Sequence, residues 1–173
     1  VAWRPFPSQT LRRSGMHLMA AADASFAGEP KARSRAGGVI WLGEADGTVS
    51  GPLACLTSII PIVVASAAEA EYATLHTVGS RLLWIRTILE ALGFSQAVSP
   101  GTPLLTDNDC ARGIANRLTK LRRTKALDVR MHWTRDKVDL GLIQVLRCDG
   151  VSNPADFLTK GHPAAHVRRV MGT

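Results

Sequence analysis

Between Ser66 and Leu92, the apolar residues Leu75, Val78, Leu82, Ile85, Leu89 and Leu92 follow the 3-4-3-4-3 spacing of one buried helical stripe. Ser66 suits the cap of that helix and Gly93 its stop. A long helix with one apolar face must lie against something broad, and strand-like runs precede it. Four residues back from Leu75, the stripe reaches Glu71. At about 100° per residue, Glu69 falls about 160° from the stripe, on the solvent side. A negative charge there, near a helix N-terminus, is mildly favourable. The sequence therefore aims one carboxylate, Glu71, at the interior, where an unpaired charge is costly. A buried arginine partner, or a sheet that ends short of the helix, would also accommodate it.

The remaining elements follow from local pattern. Residues 16–24 (MHLMAAADA) suit a strand covered on both faces. A Gly/Lys/Arg loop is expected over 28–38, a second strand over 38–43, and a hairpin turn at E-A-D-G, 44–47. A third strand over 48–60 is weakened by Gly51 and Pro52. After the long helix come a short strand at 103–106, a helix over 107–117, a basic loop over 118–125 and a helix over 126–140 ended by Gly141. Residues 142–148 read as a fifth strand. A final helix begins at Ser152 or Asn153, with Pro154 in its first turn. The order β-β-β-α-β-α-α-β-α predicts an α/β fold: a five-stranded mixed sheet, antiparallel in its first three strands and then parallel, with helices packed on it. Residues 1–15 read as a lead-in or linker, 16–160 as the domain, and 161–173 as a tail or short helix.

Composition narrows the chemistry. The 173 residues suit one domain, with 46% hydrophobic and 20% charged residues. The formal net charge is +7, which fits a polyanionic partner such as nucleic acid as well as a solvated basic surface. Cys55, Cys110 and Cys148 show neither metal-ligand spacing nor a disulfide framework, so a reducing compartment is expected. No apolar run reaches the roughly 18 residues of a membrane span, and no membrane partner is expected.

Of fourteen acids, ten sit in turns, at helix ends or among polar neighbours. Four do not. Asp23 closes the apolar run of the first strand, where strand propensity disfavours it. Glu71 lies on the buried stripe. Asp107 follows the short fourth strand at its carboxyl end, where ligands bind in open α/β sheets. Asp156 sits in the first turn of the last helix. Singly, each has a structural explanation: Asp107 as a helix cap, Asp156 answering the helix dipole, Asp23 closing a turn with Ser25. Together they suggest a hard divalent cation. Magnesium is held by a few carboxylates and phosphate oxygens, and two ions roughly 4 Å apart can serve both sides of a phosphodiester displacement. Metal would reverse the sign of an acidic site, and the basic surface would hold the flanking backbone.

The ordered motifs A-D-A-S-F-A-G, S-A-A-E-A-E-Y-A-T-L, T-D-N-D-C-A, T-K-A-L-D-V-R-M-H-W-T-R-D-K-V and N-P-A-D-F-L-T-K resemble the ribonuclease H domain at the carboxyl end of copia-type LTR-retrotransposon polyproteins, over about residues 16–160. The resemblance implies a ribonuclease H-like fold and an Asp-Glu-Asp-Asp metal site made of Asp23, Glu71, Asp107 and Asp156. It implies an endonuclease that hydrolyses the RNA strand of RNA–DNA hybrids with two Mg2+ ions (Mn2+ substituting), leaving 3′-hydroxyl and 5′-phosphate ends. Asp23 would bridge both ions, and Glu71 would also contact a ribose 2′-hydroxyl. An upstream reverse transcriptase domain in the same polyprotein, and a cytoplasmic retroelement particle, are further implied.

For substrate contacts, Arg33, Ser34, Arg35 and the Gly37–Gly38 backbone are placed near the hybrid, and Asn108 at a base or sugar edge. Arg117, Lys120, Arg122, Arg123 and Lys125 form the densest basic cluster, with Arg130, His132 and Arg135 on the following helix. Trp84 and Trp133 read as core or domain-packing aromatics. Two departures stand out. Ala126 replaces the family's usual His, and the loop before Asp156, C-D-G-V-S-N-P, lacks the His that cellular ribonucleases H often carry there. Two other readings stay open: a catalytically weak or inactive nucleic-acid-binding module of retroelement origin, and another metal nuclease of the same broad fold. Asp156, following a fifth strand, favours ribonuclease H over the latter.

Overall fold

The apolar run around Asp23 becomes the centre of the sheet. In the computed structural model, which describes residues 15–44, 49–98, 100–118, 128–163 and 165, the strands are β1 (Met16–Glu29), β2 (Arg33–Glu44), β3 (Val49–Ile59), β4 (Thr102–Thr106) and β5 (Ile143–Arg147). The helices are α1 (Ala67–Ala91), α2 (Asp109–Ala115) and α3 (Asp128–Asp139). The sheet order is β3-β2-β1-β4-β5. The pairs β1–β2 and β2–β3 are antiparallel, whereas β1–β4 and β4–β5 are parallel. This is the expected mixed five-stranded sheet.

Side-chain alternation along β1 and β2 explains their near-continuous apolar character. Leu18, Ala20, Ala22, Ile40 and Leu42 join Tyr72, Leu75, Val78 and Leu82 of α1 in the main core. The intervening Ala21, Val39 and Trp41 pack on the opposite side with Ala155 and Leu158. That second face is covered by a five-residue 3-10 helix, Pro154–Leu158, which carries Asp156.

The α1 termini match their sequence signals. The Ser66 side chain accepts from the Glu69 N–H at 3.2 Å, and Glu69 Oε2 accepts from the Ala65 N–H at 2.8 Å. At the other end Gly93 takes φ +85°, and the Phe94 N–H reaches back to the Leu89 carbonyl at 2.8 Å. Arg86 then ties α1 to the sheet, its Nη1 donating to the Val98 carbonyl, to Thr102 Oγ1 at 3.1 Å and to the Leu142 carbonyl at 3.2 Å.

Four expectations need correction. The predicted loop over 28–38 is largely strand: β1 runs on to Glu29, a 3-10 turn at Pro30–Ala32 reverses the chain, and β2 starts at Arg33. The last element is a short 3-10 turn and not an α-helix, with Asn153 as its cap. Leu92 is 65% exposed at the helix end, outside the stripe that it seemed to extend. Trp84 is 64% exposed and joins no core, whereas Trp133 packs edge-on against His76 with ring centroids 4.9 Å apart. The lead-in over 1–14, the basic residues Lys120, Arg122, Arg123 and Lys125, and Ala126 lie outside the described residues, as does most of the tail. Among the described residues, no helix is long and apolar enough to cross a membrane.

Candidate active site

Asp23 sits within β1, with Gly37 of β2 as its register partner. Glu71 projects from the first turns of α1, and Asp107 follows directly on β4. A strand interior, a helix and a strand end thus bring three carboxylates to one place. One oxygen from each lies within 4.8 Å of the others. Asp23 is 1% and Glu71 7% exposed. Glu71, and not Glu69, is the inward acid.

The environment opposes so much negative charge. Burial, and then the charges of Asp23 and Asp107, push the Glu71 carboxyl up to about 8. Burial also raises Asp23, against the opposing Thr159 hydroxyl and Lys160. Glu71 Oε1 accepts the Ala24 N–H at 3.2 Å. Its buried Oε2 has no hydrogen-bond partner among the described residues. Neither of the structural explanations for Glu71 applies: among the described residues no ion pair neutralises it, and the sheet does extend beneath it. A buried carboxylate oxygen left unbonded is costly. Three converging carboxylates with a free oxygen fit a hard cation with oxygen ligands.

Asp156 stands differently. It is the flanking acid, half-shielded on the 3-10 turn, and adds to the negative charge felt by Asp23. Lys160 Nζ pairs with its Oδ1, and His162 Nε2 lies 3.1 Å from its Oδ2. Lys160 Nζ is also 3.7 Å from Asp23 Oδ2, and the Thr159 hydroxyl donates to that same oxygen. The turn is fastened to β1 by Asn153, whose Nδ2 donates to the Ala22 carbonyl at 3.0 Å while its Oδ1 accepts the Ala155 N–H at 3.1 Å. It seats closely because Gly37 has no side chain: a Cβ there would lie 2.6 Å from Thr159 Cγ2 and 3.0 Å from the Ala155 carbonyl.

The residues expected to contact substrate are more dispersed. Arg33 is exposed. Ser34 is fully buried, its hydroxyl accepting the Ala27 N–H at 3.0 Å, so it serves the β1–β2 connection. Arg35 pairs with Glu29 at 2.6 Å and donates to Thr57 Oγ1 at 3.1 Å. The Gly37–Gly38 backbone is buried against the 3-10 turn and Val78, and does not face outward. Asn108 caps α2 by accepting the Ala111 N–H at 2.9 Å. Arg117 pairs with Asp139 on the surface. Arg130 lies on α3, where its backbone alone is described. His132 is exposed, whereas Arg135 is buried and donates from Nε to the Ile114 carbonyl at 2.8 Å, tying α3 to α2. Thr159, Lys160 and His162 escaped the sequence reading. The only available signal was the four-residue step from Asp156 to Lys160, which brings opposite charges together on a helical turn.

No family profile matches the chain. Among curated proteins it is 30% identical, over 141 residues and 82% of its length, to the retrovirus-related Pol polyprotein from transposon TNT 1-94 of Nicotiana tabacum. The chain spans 10% of that polyprotein's length. Among solved structures it resembles the N-terminal ribonuclease H domain of a Mycobacterium tuberculosis protein, with a TM-score of 0.56 and 18% identity over 89% of this chain and 98% of that one. LC11 ribonuclease H1, solved in complex with an RNA/DNA hybrid, gives a TM-score of 0.56 and 17% identity over 82% and 92%. Ribonuclease H1 from Halobacterium salinarum gives 0.51 and 20% over 82% and 93%. The chain has a ribonuclease H-like fold, and its resemblance to a copia-type retrotransposon Pol polyprotein, read first from its ordered motifs, is borne out by the tobacco relative.

Proposed function

We propose that this chain is a ribonuclease H that hydrolyses the RNA strand of RNA–DNA hybrids at a divalent-cation site formed by Asp23, Glu71, Asp107 and Asp156. The observation that carries this reading is the orphaned Oε2 of Glu71, buried beside Asp23 and Asp107 in a cluster whose oxygens lie within 4.8 Å. Oε1 serves the Ala24 N–H, but among the described residues nothing bonds Oε2, and a cation would satisfy it.

Asp23, Glu71 and Asp107 would hold one side of the metal site, and Asp156 would complete it from the 3-10 turn. Two Mg2+ ions, when bound, supply the positive charge that activates a water and stabilises the leaving 3′-oxygen. The chain's own residues fix where that happens. β1 and α1 hold Asp23 and Glu71 rigidly, Asn153 docks the turn that carries Asp156, and burial keeps bulk water from screening the carboxylates. The cut would leave 3′-hydroxyl and 5′-phosphate ends. Exposed Arg33 and the basic residues after α2 would hold the hybrid backbone, which makes binding salt-dependent. The hybrid bound by LC11 ribonuclease H1 supports this substrate class. An upstream polymerase domain in the same polyprotein is the proposed partner. One observation favours the weaker alternative, a binding module with little catalysis: the Asp156 carboxylate already has Lys160 and His162 as partners.

The test is cleavage of an end-labelled RNA–DNA hybrid with Mg2+ or Mn2+, beside an Asp107→Asn variant and single- and double-stranded RNA controls. Hybrid-specific cutting that disappears in the variant is expected. If both proteins bind hybrid and neither cuts, with or without the polymerase attached, the binding-module reading replaces this one.

A further inference from the structure

The acid cluster is asymmetric in how its charge is met. On the Glu71 side a carboxylate oxygen is buried without a partner. On the Asp156 side an ammonium is already present: Lys160 Nζ pairs with Asp156 Oδ1 and lies 3.7 Å from Asp23 Oδ2. The ammonium thus faces both acids at once. Its position is set by the backbone. The Thr159 and Lys160 N–H groups both bond the Asp156 carbonyl at 3.2 Å, and the Thr159 hydroxyl and the Lys160 ammonium both reach Asp23 from that turn. The Lys160 side chain is still 49% exposed, so it has a short route to solvent. A lysine ammonium is a compact, hydrated point charge on a flexible stem, close in kind to a small metal cation.

From this geometry we infer that Lys160 is a resident counterion of the Asp23–Asp156 half of the cluster, and that a divalent ion binding in that half must displace it. This rests on the reading of the four acids as a divalent-cation site. Lys160 then makes the two cation positions unequal: the Asp23–Glu71–Asp107 side is open to metal, and the Asp23–Asp156 side is guarded. It also keeps the metal-free cluster from carrying its full negative charge.

The experiment counts free Mn2+ by electron paramagnetic resonance as it is titrated into the full chain as wild type, Lys160→Met and Lys160→Arg, with circular dichroism to establish folding. Wild type should bind in two unequal steps. In Lys160→Met the weaker step should tighten at least about tenfold, given the size of a Coulomb interaction at such distances, and Lys160→Arg should follow wild type. In the wild-type chain, acetic anhydride labelling of Lys160 should speed up severalfold on adding Mg2+ while Lys137 labels unchanged. That arm decides the matter if Lys160→Met does not fold. Superimposable isotherms, weaker binding in Lys160→Met, or Lys160 labelling indifferent to Mg2+ would overturn the inference and leave the metal site standing. If no variant binds Mn2+ at all, the metal site falls and this inference falls with it.

Discussion

The two flanks of the acid cluster use the same residue types under opposite physical regimes. Asp23 and Glu71 are built into a central strand and the long helix, buried at 1% and 7% exposure, with one oxygen unbonded. Asp156 rides on a five-residue 3-10 turn and has Lys160 and His162 as local partners. The first flank stores unfavourable electrostatics in a rigid frame that core packing keeps folded. The second is relaxed without metal and depends on docking contacts for its position. A cluster can therefore be preorganised for a cation on one side and self-neutralised on the other.

The largest effects should come from the rigid flank. Asp107→Asn should reduce hybrid cleavage by at least about a hundredfold, since the proposed metal site would supply several kcal/mol of transition-state stabilisation. Single-turnover rates at saturating enzyme would measure this, and near-normal cleavage would erase the contrast between flanks.

Glu71 also predicts a pH dependence with a definite sign. Its carboxyl is raised from 4.5 to about 8 in the fold, so between those values the folded chain binds more protons than the unfolded one. Metal-free stability is then highest at the acid end and falls as pH rises toward 8, by an amount on the order of a few kcal/mol. Asp23 is shifted in the same direction and adds to the trend. Urea unfolding across this window should show the decline in wild type and a much flatter profile in Glu71→Gln. A stability that instead rises with pH over this window would show that the strain is not there.

On the docked flank, Asn153→Ala removes the two bonds that fasten the turn and should cost about 1–3 kcal/mol. Cleavage should fall by more than stability alone explains. Gly37→Ala should push the same turn outward through Thr159 and the Ala155 carbonyl. An overpacked site of this kind costs about 1–3 kcal/mol, and metal affinity should drop with it. Thermal melts paired with Mn2+ titration would separate the two effects. The smallest expected change is in Arg117→Ala: its surface pair with Asp139 should not measurably support the melting temperature, so any loss of hybrid affinity would report a substrate contact.

Much of this frame was legible in sequence because it is periodic. The spacing of Leu75, Val78 and Leu82 located Glu71, and the Ser66 and Gly93 signals bounded its helix. The order of strands and helices along the chain followed from short apolar runs separated by helical segments. The missed features depend on pairing and docking. Arg33, Ser34 and Arg35 have no strong strand pattern of their own, and it is the register with Ser25 and Glu29 that makes them strand. The Gly37–Gly38 backbone was placed near the hybrid, yet these residues are small so that Thr159 and Val78 can pack against them. Leu92 matched the stripe in spacing but falls where the helix has already ended. The step from Asp156 to Lys160 was local, but the second partner, Asp23, is distant in sequence and is brought beside Lys160 only by the folded 3-10 turn.

The most direct test of the central claim is Mg2+-dependent thermal stability of the wild-type chain and Asp23→Asn near pH 8. A cation that binds only the folded cluster raises the melting temperature in proportion to its occupancy. The account predicts a clear, concentration-dependent rise in wild type that is absent in Asp23→Asn, with the variant the more stable of the two when metal is withheld. Equal Mg2+ responses in both proteins, or none in either, would contradict it.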